Sequence, residues 1–203
     1  MSDQERILIT VRTYPTISKE YVETVCTGGI NESGEWRRLY PVPLRYLEED
    51  RQFRTYDIVR LKLRPGADGR PETRRPMLET VEIEDHLKHW QSRCDWVNPT
   101  IHSSLAEMKE KGRTLAPVAV REVLEFTAEP CDPEWTPEQK DILKQELMFD
   151  RLALEKIPYN FRVRWIDQDG DENNSLIIAW ELRETWRQYR RQYPDPIPKM
   201  REK

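Results

Sequence analysis

Cysteine, histidine and glycine are scarce in this chain of 203 residues, with three, three and seven copies. Cys26, Cys94 and Cys131 lie far apart, form no CxxC pair and cannot all pair with one another, which argues against a disulfide scaffold. A reduced, cytoplasmic protein is the expectation. No apolar run approaches the length of a membrane span. The opening MSDQERILITV lacks the basic-then-apolar layout of a secretory leader. No membrane partner is therefore expected. A general excess of basic charge is also missing: the formal net charge is -4, which excludes an overall basic coat but not a local basic face. The chain has no phosphate loop, no dinucleotide fingerprint, no GxSxG elbow and no internal repeat.

What is present is aromatic and charged. Seven Trp, eight Tyr and four Phe argue against disorder even though charged residues make up 34%. The length suits one domain with a real core. The stretch Tyr21 to Pro43 reads as a strand, a tight turn at Asn31-Glu32-Ser33-Gly34 and a second strand stopped by Pro41 and Pro43. Ile7 to Val11 reads as a buried strand. Tyr56 to Arg64, YDIVRLKLR, alternates with Val59, Leu61 and Leu63 on one face and Arg60, Lys62 and Arg64 on the other. Pro65 to Pro76 reads as a loop and Leu78 to Glu84 as a further strand. Asp85 is placed to cap a helix through His86, Leu87 and Trp90. Capping boxes at Ser104 and Thr136 predict two more helices, the second with a stripe of Ile142, Leu143, Leu147 and Met148. Val118 to Phe126 fits either strand or helix. The expected fold is α+β: an N-terminal antiparallel β-rich sheet or small barrel over 1–84, then a helix-rich part over 85–193. That second part holds a β-hairpin near 159–178 and a final helix from about Ala179. Residues 194–203 read as a loose tail, and the whole 1–203 as one domain.

The opening ITVRTYPTISKEYVETVCTGGINESGEWRRLYPVPLRYL, with YDIVRLKL, RPETRRP, LEKIPYNFRVRW and AWEL, resembles an uncharacterised bacterial family of small cytoplasmic proteins. Its members open with a similar TYP…ETVCTxGI…GxWxRLYPVP block. The resemblance covers most of the chain and implies no established activity. It implies a Cys- and His-bearing turn between the last two strands; here that turn is DQDGDENNS, with neither residue.

Several residue groups invite chemistry. Asp167, Asp169, Asp171 and Asn173 alternate as in a calcium loop, but Gly170 comes one place early and no distal Glu follows, so a solvated hairpin turn is the better reading. His86 and His89, with Cys94 and His102, complete no tetrahedral zinc set. Cys26 has no identifiable base beside it and reads as a small core residue. Asp57, Glu79, Glu82 and Glu84 lack the distinctive spacing of a metal nuclease. No cofactor, no metal and no catalytic residue is assigned, and the enzyme question leans to no. The basic set carries more. Arg60, Lys62 and Arg64 on one strand face, Arg74 and Arg75 in the following loop, and Arg37 and Arg38 from the hairpin offer guanidinium forks for phosphates. Trp36 and Tyr40 offer rings for bases. The competing reading is a solvated sheet face balanced by nearby glutamates, with Trp36 and Tyr40 in the core. The expected function is a non-catalytic nucleic-acid-binding module within a bacterial defence or DNA-processing system. The alternative is a protein-binding accessory subunit that makes no contact with nucleic acid.

Overall fold

The structure is a computed structural model and describes residues 3–144 and 154–202. Its strands are β1 (Asp3–Arg12), β2 (Thr16–Ser18), β3 (Val22–Asn31), β4 (Trp36–Val42), β5 (Asp57–Pro65), β6 (Thr73–His86), β7 (Val120–Pro130), β8 (Tyr159–Asp167) and β9 (Glu172–Leu176). Its helices are α1 (Trp90–Val97), α2 (Leu105–Glu110), α3 (Pro137–Leu143), α4 (Trp180–Arg190) and α5 (Ile197–Arg201). Strands dominate the N-terminal half and the helices follow, so the α+β expectation holds. The chain divides into two compact units, Met1–Arg12 with Thr24–Ala119 and Thr13–Glu23 with Val120–Lys203.

In the first unit, five strands of the larger sheet run in hydrogen-bonded order β1-β5-β6-β4-β3, and β1 pairs again with β3. The five strands thus close on themselves as a small barrel. Closure needs β3 to approach β1 tightly, and two glycines permit it. A Cβ on Gly29 would lie 2.6 Å from Ile7 Cγ2 and 2.7 Å from the Leu8 carbonyl oxygen; one on Gly28 would lie 2.8 Å from Val11 Cγ1. The seam between β4 and β6 is parallel and short, with only Arg38↔Thr73 and Leu39↔Arg74 in register. Ile7, Ile9, Leu39, Val59 and Leu61 are fully buried. Leu8 pairs with Ile30 and with Ile58. These three form a second cluster on the other side of the strands, against Trp36, Leu87 and Trp96.

The second unit centres on the antiparallel sheet β7-β8-β9. Phe161 of β8, Ile157, Trp186 of α4 and Met200 of α5 form its core, with Tyr14, Phe126 and Leu182 packed around them. Burying each such side chain contributes roughly 1.5–3 kcal/mol. Arg187 and Arg190 fall in the last turn of α4, where the helix dipole favours cations. The turn after β8 is held by its own first residue. Asp167 Oδ1 accepts from the Asp171 N–H at 2.9 Å and Oδ2 from the Asn173 amide at 3.1 Å. That is the hairpin turn expected of this acidic stretch.

Four local expectations change. No helix starts at Asp85; β6 continues to His86, with Ile58↔Asp85 and Asp57↔His86 in register, and α1 begins only at Trp90. The expected loop from Pro65 ends sooner, because Asp68 accepts bonds from Arg70 and Thr73 and closes it, so Thr73 onward is strand. Val118 to Phe126 resolves as strand from Val120. The tail folds as α5 and puts Met200, 8% exposed, into the core. Both capping boxes form helices as expected: Ser104 accepts from the Glu107 N–H, and Thr136 and Gln139 cap α3 reciprocally. Leu147 and Met148 of the expected stripe lie outside the described residues.

Candidate nucleic-acid interface

The pleat of β5 does what its alternation predicts. Val59, Leu61 and Leu63 are buried, while Arg60, Lys62 and Arg64 are exposed. The three outward cations differ in their surroundings. Arg60 is held by the Glu84 carboxylate, which also takes Arg6. Among the described residues, Lys62 and Arg64 have no carboxylate partner. Across the ladder, Arg64 stands directly opposite Arg75. Directly opposed residues of an antiparallel pair share a face with Cβ atoms about 5 Å apart, and like charges there repel. Arg75 is exposed. Lys62, two residues from Arg64, shares that face. Arg74 points its guanidinium back to its own loop, donating to the carbonyls of Pro71 and Thr73 at 2.8 Å.

The hairpin arginines lie inside the unit, which corrects their expected part in the interface. Arg37 is 8% exposed. Its Nε donates to both Glu5 oxygens at 2.9 and 3.0 Å, and its Nη2 to Glu35 at 2.6 Å. Arg37 lies two residues from Leu39, and Glu5 two from Ile7, so the pleat turns both toward the barrel interior. Their charges close one end of it. Asn31 completes the group, donating to Glu5 at 2.7 Å and to Glu35 at 3.2 Å. Bonds from Asn31 and Arg37 hold the Glu35 carboxyl below the usual carboxylate range. Arg38, 7% exposed, faces the other way, onto Thr114. Neither guanidinium is open to a strand of phosphates. Trp36 is half-buried with its indole N–H on the Thr100 hydroxyl at 3.0 Å, and Tyr40 is 40% exposed. The structure thus gathers Lys62, Arg64 and Arg75 on one outer ridge and takes Arg37, Arg38 and Arg60 out of it.

Other reactive types are placed as structural groups. Burial pushes the Cys26 thiol up, despite the opposing pull of Arg38 and Arg70, so it is a poor nucleophile at neutral pH. His86 Nδ1 lies 2.6 Å from Asp57, whose other oxygen accepts from the Arg54 N–H at 2.6 Å. Among the described residues, no three His, Cys, Asp or Glu side chains gather to hold a metal ion, and no helix is long and apolar enough to cross a membrane.

Residues 99–203 match the family model described as Domain of unknown function (DUF8757). The chain belongs to the DUF8757 family. In this DUF8757 member, residues 3–99 match a second model, Domain of unknown function (DUF8758), so the two span the chain from residue 3, in keeping with its resemblance to an uncharacterised family. No curated protein and no solved structure matches it. The boundary between the matched segments, at residue 99, falls inside the first compact unit, between Trp36 and the Thr100 that holds it.

Two features of this interface were not legible in sequence. The partners that remove Arg37 and Arg38 are Glu5 and Thr114, far away in the chain. A cleft beside the hairpin turn, lined by Trp36, Thr100, His102, Lys111 and Arg113, brings together residues from two distant stretches. The only local hint was the glycine-closed turn running straight into a tryptophan.

Proposed function

We propose that the barrel unit is a non-catalytic nucleic-acid-binding module that holds a phosphate backbone on Lys62, Arg64 and Arg75. The observation that supports it most is the Arg64–Arg75 opposition on the outer face of the barrel. Like charges placed opposite each other across a ladder repel by up to about 1 kcal/mol even in water, and an anion between them reverses the sign. The next outward residue toward the barrel is again a cation, Lys62, about 7 Å along the strand, close to the phosphate repeat of an extended single strand. Arg60 lies further along but is neutralised by Glu84. The ridge is therefore short, and it suits a few phosphates rather than a long duplex track.

Three phosphate contacts to a single strand give a salt slope of about -2, so affinity falls about twentyfold between 50 and 200 mM salt. The test is a titration of labelled single- and double-stranded oligonucleotides against wild type and the Lys62→Gln/Arg64→Gln double variant. Both side chains are exposed, so the fold persists. The slope of the variant drops to about -0.7. Absence of binding at low salt, or equal slopes, refutes the reading. A second reading, an accessory subunit docking a protein, draws on exposed apolar residues of the second unit: Val120 and Val123 on β7, Leu176 at the end of β9, and Ile178 just beyond it. It is the one left ahead if the titration fails.

A further inference from the structure

We infer that the cleft beside the hairpin turn takes one unpaired nucleotide of the bound strand, its base against Trp36 and its phosphate on Arg113. This rests on the nucleic-acid reading and names the part of the strand that the ridge does not touch. The cleft, about 570 Å³, lies between the turn residues from Ser33 to Trp36 and the segment running from Pro99 to Ala116. That volume is in the range of pockets that enclose one small molecule. Its chemistry is specific. The indole of Trp36 has its N–H already engaged by Thr100, whose hydroxyl donates onward to the Val97 carbonyl at 2.8 Å. The ring is thereby fixed with its polar edge satisfied, as a stacking platform requires.

Around the cleft, one cation among the described residues has no carboxylate. Glu35 at the rim shares the Arg37 guanidinium, at 2.6 Å, with Glu5. Lys111 and Glu107 pair at 2.5 Å. His102 is held by its main chain, donating to the Pro117 carbonyl at 3.0 Å and accepting from Ala119 at 2.9 Å, with its ring Nδ1 3.4 Å from Glu107. Arg113 is exposed, and among the described residues its side chain has neither a carboxylate nor a hydrogen-bond acceptor. A fixed aromatic ring, an unmatched guanidinium and the hydroxyl of Ser33 are the complement of a planar base carrying a nearby phosphate. The strands that carry ridge and cleft are paired: β4 holds Trp36 and β6 holds Arg75, with Arg38 opposite Thr73.

The experiment compares oligothymidylate with an abasic deoxyribose-phosphate strand of the same length, at one salt concentration. Wild type binds the base-bearing strand about tenfold more tightly, the worth of one stacked base. Trp36→Ala brings the ratio close to one. Arg113→Glu, an exposed change that leaves the fold alone, weakens oligothymidylate binding several-fold more than Lys109→Glu, an exposed control on α2. Lys62→Gln/Arg64→Gln weakens both strands and keeps the ratio. Equal wild-type affinity for the two strands, or equal effects of the Arg113 and Lys109 variants, overturns the cleft assignment while leaving the ridge intact. No binding of either strand overturns both.

Discussion

Arg38 and Thr114, 76 residues apart in the chain, are joined twice: the guanidinium donates to the threonine hydroxyl at 3.0 Å and to its carbonyl at 2.9 Å. Thr114 passes the connection on. Its N–H and its hydroxyl donate to the Glu72 carboxylate at 2.9 and 2.7 Å. The Glu72 carbonyl in turn accepts from the Arg38 N–H at 2.9 Å. Arg38, Thr114 and Glu72 thus clamp the short parallel seam where β4 meets β6.

Removing the cation from that clamp leaves the carboxylate of Glu72, 1% exposed, without its counter-charge. Arg38→Met should cost about 3 kcal/mol, within the range for breaking one side of a buried ionic group. Glu72→Gln keeps the shape and should cost about 1 kcal/mol. Urea denaturation midpoints measure both. An Arg38→Met loss below that of Glu72→Gln would show that the seam is held by the strand pairing alone.

Stability should fall in acid, and two glutamates set the direction. Burial alone would raise the Glu72 carboxyl, but the Thr114 bonds and Arg38 outweigh it and hold it below its ordinary value. Bonds from Lys111 first, then from the Ser103 N–H, hold the Glu107 carboxyl at about 2. A carboxyl depressed on folding stabilises the native state above its unfolded pKa, and that contribution is lost as pH falls through the folded one. For Glu107 the window runs from about 4.5, its ordinary value, down toward 2. The melting temperature of wild type should therefore drop more steeply across that window than that of Glu107→Gln. Parallel curves would refute it.

Gly29→Ala should cost about 2–3 kcal/mol, since the new methyl meets both Ile7 and the main chain of Leu8. Gly69→Ala is the contrast. It has a φ of +73° but nothing within 4 Å, so only backbone strain of about 1 kcal/mol applies. Chemical denaturation of the two variants should show the larger loss at Gly29. The reverse order would mean that β3 and β1 can separate without penalty.

Met200→Ala should destabilise the second unit by about 2–3 kcal/mol, because the side chain is packed with Trp186 and Phe161. Amide exchange of β8 and α4 residues should accelerate in the variant. Unchanged exchange would return the last residues to the loose tail that the prolines suggested.

What sequence revealed were features whose cause is local. YDIVRLKL declares its two faces because a strand's period is two, and Ser104 and Thr136 declare helix starts because a cap bonds three residues onward. Asp85 had the same capping chemistry and was overruled by its pairing with Ile58 on β5, a tertiary contact. Arg37 and Arg38 looked like surface charge because their partners are 32 and 76 residues away. A buried arginine reads as an exposed one until the fold brings its carboxylate or carbonyl. The ridge was half legible: Lys62 and Arg64 from alternation, but the opposition of Arg64 and Arg75 only from the register of β6.

The path of the backbone through the two units has a consequence for ancestry and for cutting. It leaves the barrel after Arg12, returns at Thr24 and departs again after Ala119. Three peptide links therefore join the units, and no single cleavage point yields one of them whole. A recombination breakpoint at the family boundary near residue 99 would strip Thr100 from Trp36 and Thr114 from Arg38 while leaving residues 13–23 behind. The first matched segment alone would keep all five barrel strands and lose the threonines that hold Trp36 and Arg38.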